Sequence, residues 1–170
     1  RGPVRRLADE RGEYVVLAEL RGRSLVGLLE VRPQRDLAVW SDLHAADRLH
    51  AMATGKVLLA FLDDVERGRV LSGMRLRRCG PRTVTDRRRL HRQLAQIRRR
   101  RYAVCREEAG EGIAAVAVPV HETGGRVAAA LGAAMPLVRF GAPRPARVLS
   151  ALRAAAGTIE RFWGQESPPA

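Results

Sequence analysis

The spacing of apolar positions changes several times along the chain, and each change marks an element. Residues 3–11 (PVRRLADER) suit the end of a helix, with Gly12 as its stop. Residues 14–20 (YVVLAEL) and 24–31 (SLVGLLEV) are rich in apolar and β-branched side chains. The short turn Arg21-Gly22-Arg23 between them predicts a β-hairpin. Residues 37–41 (LAVWS) form a third, short candidate strand. From Leu49 the period becomes helical, with Leu49, Met52, Ala53, Lys56, Val57, Ala60 and Phe61 on one side. Asp63-Asp64 suit the start of a second helix that runs to about Ser72. Gly80-Pro81 interrupts the chain. Thr85 or Asp86 can then cap a basic helix over 87–99, whose Leu90, Leu94 and Ile97 share one face.

The C-terminal half returns to period two. Residues 102–107, 113–121 and 126–135 read as strands. Glu122-Thr123-Gly124-Gly125 supplies glycines for a tight turn, so the last two pair as a central hairpin. Both are alanine-rich, and alanine is a poor strand former alone. Small side chains there imply close approach by a helix, a ligand or another subunit. A final helix is expected over 147–162. Two hairpins favour an antiparallel sheet flanked by helices, an α+β fold, over a doubly wound parallel sheet.

Composition supports one globular domain of 170 residues, with 46% apolar and 29% charged residues. No apolar run reaches the ~18 residues of a membrane helix. The first residues (RGPVRRLADERGE) hold no apolar signal-peptide core, and two cysteines are too few for a disulfide scaffold. A cytoplasmic protein without membrane contact is expected. Charge is the unusual quantity: 31 basic against 18 acidic residues, a net of +13, with Lys56 the one lysine. Residues 67–106 carry 15 arginines and one acid, Asp86. That density could neutralise phosphates, but Tyr102 is the one aromatic in the stretch and no groove-reading unit is evident. A solvated face or a docking surface for an acidic partner is favoured.

Chemistry is sparse. GxGxxG, Walker A, GxSxG and HExxH patterns do not occur. His44 and His50 have no third ligand nearby, so a packing or capping histidine is preferred to a metal site. Cys105 lacks an identifiable base and reads as a small buried side chain. Glu107 and Glu108 follow a strand and are expected to pair with Arg99–Arg101 rather than act as an acid/base couple. No enzyme and no cofactor are expected.

Three blocks in order carry a resemblance. LHAMATGKVLLAF (49–61) resembles the LHATALGKALLAF block of IclR-type transcriptional regulators. PRTVTD (81–86) resembles their TPRTITD segment. IRRRRYAVCREEAGEGIAAVAVPV (97–120) and the hairpin GGRVAAALGAAMP resemble IRRQGYAVDREE…GvrCIAAPV and GRVVAALSVSGP. The match is to the family's C-terminal, GAF-like effector-binding domain and covers nearly all of 3–163. It implies a division into the end of an interdomain helix (1–12), an effector-binding domain (13–163) and a tail (164–170). It further implies a small-molecule effector, a homodimer or tetramer, and DNA contact through a winged helix-turn-helix that these residues do not include. The pocket is expected between the sheet and the segment 37–55. Its implied lining is Val39, Trp40, Ala53, Thr54 and Gly55, with Cys105, Ala115, Gly132 and Ala134 from the sheet.

This chain departs from the family pattern at that pocket. Cys105 stands for an aspartate, Ala115 for a cysteine, Gly132 and Ala134 for two hydroxyls, and Asp47-Arg48-Leu49-His50 for LPLH. These changes point to an aromatic or weakly polar effector, to charge met elsewhere, or to a pocket that has decayed. Backbone N–H groups at Ala53-Thr54-Gly55 remain as possible anion donors. Gly132 and Ala134, two apart, share a strand face, and Leu131 and Ala133 point to the other. Gly132 could alternatively serve only a strand kink or a close helix. The alternative function is a ligand-free GAF-like dimerisation module.

Overall fold

In a computed structural model, described over residues 2–32 and 46–166, five strands form one antiparallel sheet with helices on both faces. Helix α1 (Gly2–Arg11) ends at Gly12, whose φ of 61° lets the chain reverse into the sheet. Strands β1 (Tyr14–Arg21) and β2 (Ser24–Val31) form the expected hairpin, closed by Arg21 opposite Ser24 with Gly22 at φ 61°. The candidate strand at 37–41, with Val39 and Trp40, lies outside the described residues.

The single helix expected from Leu49 is divided. A 3-10 turn, Ala46–Ala51, precedes α2 (Ala53–Phe61), and extended Met52 lies between them as the N-cap. Asp63 caps α3 (Asp64–Ser72) by accepting from the Glu66 amide at 2.8 Å. Asp86 caps α4 (Arg87–Arg100) in the same way, from Arg89 at 2.7 Å. Buried Leu90, Leu94 and Ile97 face α2. Strands β3 (Ala103–Arg106), β4 (Ile113–His121) and β5 (Val127–Pro136) follow. Helix α5 (Arg144–Glu166) begins earlier and ends later than its apolar stripe indicated.

Strand order is β2-β1-β5-β4-β3, so β5 is central and every pairing is antiparallel. Two cores result. On one face α1 and α5 cover Val15, Leu17, Val116, Val118, Leu131 and Met135. On the other, α2, backed by α4, covers Tyr14, Val16, Ala103, Cys105, Ala117 and Ala130. Among the described residues no helix is long and apolar enough to cross a membrane.

Several arginines of the basic stretch have structural roles that its charge alone did not show. Arg87 donates to the carbonyls of Leu71 (2.5 Å) and Met74 (2.8 Å), at the end of α3. Arg98 donates to Leu62 at 3.3 Å, at the end of α2. Cations there satisfy carbonyls that have no intrahelical partner.

Candidate functional site

Register builds the floor of a cavity. Tyr14 lies opposite Ala134, Ala134 opposite Ala115, and Ala115 opposite Cys105, a row across four strands on the α2 side. The adjacent row on that face is Val16, Gly132, Ala117 and Ala103. Except for Tyr14 and Val16 at one end, these side chains are an alanine, a cysteine or no side chain at all. Above them a cavity of about 240 Å³ remains. Arg48, Met52, Ala53 and Thr54 form one wall, and Cys79, Ala109, Gly110 and Ile113 another.

Of the residues expected at the pocket, Ala53, Thr54, Cys105, Ala115, Gly132 and Ala134 line this cavity. Gly55 lies elsewhere. A Cβ on it would collide with the Leu49 carbonyl, so its role is to let α2 sit against the 3-10 turn. That contact positions Ala53 and Thr54. Gly132 combines both of its readings: it lines the cavity, and a Cβ there would lie 2.6 Å from Thr54 Cγ2. Leu131 and Ala133 belong to the opposite core, as alternation requires.

Next to Cys105, outside the cavity lining, lies a closed polar cluster. Lys56 Nζ donates to Glu108 Oε2, and to Gln93 Oε1 at 2.7 Å. Both charges are buried. An ion pair taken out of water this completely depends on such added hydrogen bonds. The glutamates therefore differ from expectation: Glu108 pairs with Lys56, and Glu107 lies 3.5 Å from Arg82, not against Arg99–Arg101. Sequence adjacency suggested the latter, but α4 ends on the far side of β3 from this loop. The Thr83 hydroxyl donates to the Glu108 carbonyl at 2.6 Å and accepts from the amides of Cys79 (2.9 Å) and Gly80 (2.7 Å). These bonds fasten segment 79–83 to segment 107–110.

Burial pushes the Cys105 thiol up to about 12; the Lys56 ammonium opposes this and the Glu108 carboxylate adds to it. A thiol so strongly protonated is a poor nucleophile. His50 donates from Nε2 to the Arg77 carbonyl at 2.9 Å, a packing role. Burial, with the Glu30 carboxylate that accepts its proton at 3.0 Å, also raises Tyr14. Among the described residues no group of three or more His, Cys, Asp or Glu is placed to hold a metal. The contributions of Tyr14, Arg48, Cys79 and Ile113 were not legible from local sequence, because they depend on strand register and on loops folding back over the sheet.

Residues 1–161 match the family model described as bacterial transcriptional regulator IclR C-terminal. The chain is 31% identical over 166 residues to the HTH-type transcriptional regulator KdgR of Escherichia coli, covering 98% of itself and 63% of that protein. It thus spans less than two thirds of that relative. The crystal structure of the E. coli KdgR C-terminal domain superposes with a TM-score of 0.83 at 30% identity, covering 95% of this chain and 94% of that one. An IclR homolog from Microbacterium hydrocarbonoxydans, complexed with 4-hydroxybenzoate, superposes with a TM-score of 0.82 at 31% identity, covering 95% of this chain and 65% of that one. The named relatives are transcriptional regulators, not enzymes, and the chain belongs to the IclR family as its C-terminal effector-binding domain.

Proposed function

We propose that this domain senses a small organic metabolite with a ring or comparable apolar body, and that it also carries the self-association of the regulator. The observation that carries the reading is the cavity of about 240 Å³ floored by Cys105, Ala115, Gly132 and Ala134. Its volume exceeds the roughly 150 Å³ apolar cavity that suffices for benzene. Four small side chains in one place leave room for a ring where larger ones would fill it. The likeness to a homolog complexed with 4-hydroxybenzoate supports the same class of occupant. The first-turn amides at Ala53 and Thr54 add donors at the cavity wall, since Met52 supplies no side-chain cap. In the whole regulator, a cytoplasmic homodimer or tetramer, DNA is contacted by a winged helix-turn-helix outside residues 1–170, and occupancy here biases that contact.

A panel of aromatic and aliphatic acids, with their neutral amides, tests this by thermal unfolding. A ligand that binds only the folded state raises Tm with concentration. Concentration-dependent stabilisation by any member supports the sensor. Stabilisation by none, with an intact oligomer in sedimentation, favours the ligand-free dimerisation module instead. Separately, this chain alone is expected to show no operator preference in a gel shift at physiological salt.

A further inference from the structure

Helix α4 carries a row of arginines that the fold does not use. Its buried face is Leu90, Leu94 and Ile97. Arg87 and Arg98 hold helix-end carbonyls, and Arg101, just past the helix, donates from Nη2 to His121 Nε2 at 2.6 Å. Arg88, Arg89, Arg92 and Arg99 are exposed, and among the described residues their side chains have no hydrogen bond or ion pair. With 3.6 residues per turn, Arg88, Arg92 and Arg99 fall within about 40° of one another, opposite the buried face. At 1.5 Å per residue the row is about 16 Å long. No acidic residue occurs between Asp86 and Glu107, so nothing on the helix neutralises it. On one flank Arg98 shares a recess with Asp63, Asp64 and Glu66 of α3. Helical spacing puts Arg89 and Arg100 on the other flank, where they widen the row.

We infer that this row is a contact surface for the phosphate backbone of duplex DNA, indifferent to base sequence. A duplex presents one negative charge per ~1.7 Å of its axis, and cations set in a line suffice to release its counterions. Guanidinium groups also match phosphate oxygens two bonds at a time. An acidic protein is a poorer fit, because protein interfaces rest on aromatic and apolar anchors. The one apolar side chain among the exposed residues of α4 is Ala95. A single strand is a poorer fit too, because it needs aromatic rings for its bases. Tyr102, the one aromatic in residues 67–106, is covered by the Arg153 guanidinium at 5.5 Å. The named HTH-type relatives place a protein of this kind at DNA. The inference goes beyond the proposed function, which gives DNA contact to a domain outside residues 1–170, and it does not depend on a ligand in the cavity. Contacts to phosphate add affinity and fix position without adding sequence preference.

The test measures fluorescence anisotropy of a labelled duplex of scrambled sequence against the whole 170-residue chain, over a salt series from low to physiological. Binding is expected at low salt, with log K falling against log salt at a slope of about −3, the value for three phosphates neutralised. The triple variant Arg88→Gln, Arg92→Gln, Arg99→Gln loses about tenfold or more in affinity at low salt, and its slope flattens towards zero. A control of equal charge, Arg5→Gln, Arg6→Gln, Arg147→Gln, changes exposed arginines of α1 and α5 across the sheet and keeps the wild-type affinity. Circular dichroism confirms that each variant is folded. Equal losses from the two triples overturn the surface, because net charge alone would then explain binding. No binding by wild type at low salt overturns the inference outright. Two competitors decide on wild type alone, whether or not the variants fold. A single strand of the same length that displaces the duplex at equal phosphate concentration overturns the duplex assignment. Polyglutamate that does so at equal charge points to an acidic protein instead and overturns it as well.

Discussion

The two faces of the sheet are built on opposite rules although the same strands supply both. Along β5, Leu131, Ala133 and Met135 point to α1 and α5, and Ala130, Gly132 and Ala134 point to α2. Along β4 the division is Val116, Val118 and Val120 against Ala115 and Ala117. The first face is filled with branched and long side chains that join one buried cluster with α1 and α5. The second keeps its side chains short, lets α2 approach to the point where Thr54 nearly touches Gly132, and leaves an opening beside that contact. A filled face and an open one are thus separated by strand alternation, not assigned to different parts of the chain.

The comparison can be broken by substitution. The largest loss is expected on the open face but away from its alanines. Lys56→Met leaves Glu108 charged and buried without its partner, at a cost of about 3–5 kcal/mol. Urea unfolding reads it, and a loss below about 1 kcal/mol would mean that water reaches the pair. Next comes Leu131→Ala on the filled face, fully buried, at about 2–5 kcal/mol. The sharpest contrast uses adjacent residues. Ala133→Leu overpacks the filled face and costs about 1–3 kcal/mol. Ala134→Leu enters the cavity, with an expected effect between neutral and a gain of about 2 kcal/mol. Ala134→Leu also abolishes ligand binding while the circular dichroism spectrum is retained. Equal losses from the two leucines would show that the faces are packed alike. The mildest probe is chemical. With its thiol held near 12 by burial, Cys105 stays protonated at pH 8, and half-buried Cys79 reacts first with a thiol reagent. Two fast equivalents would mean that Cys105 is open to solvent.

Periodicity and turn chemistry made most of the fold legible. Gly12, the Gly22 turn, Asp63 and Asp86 each stand where a stop, a turn or a cap is observed. These are local decisions, taken by a residue and its near neighbours. The break at Met52 was not legible, because LHAMATGKVLLAF keeps helical spacing through it. Only the packing of Gly55 on the Leu49 carbonyl shows why the axis changes there. At the cavity, strand alternation paired Gly132 with Ala134 correctly, but no local rule places Tyr14 opposite Ala134 or brings Ala109 to Arg48. Those are register and loop-closure facts, set by contacts far apart in sequence. The partners of Glu107 and Glu108 fall in the same class.

Lys56 has a practical consequence beyond its ion pair. It is the one lysine among 170 residues, and its side chain is 2% exposed. Acylating enzymes and amine-directed cross-linkers therefore meet a surface whose side-chain cations are all guanidinium, which they leave untouched. Modification of Lys56 must wait for its contacts with Gln93 of α4 and with Glu108 to open. Its rate then follows the population of that opened form rather than the solvent exposure of a surface group. Acylation of this single side-chain amine, followed by mass spectrometry, turns the residue into an internal gauge of how often the packing around it opens, with and without a bound ligand.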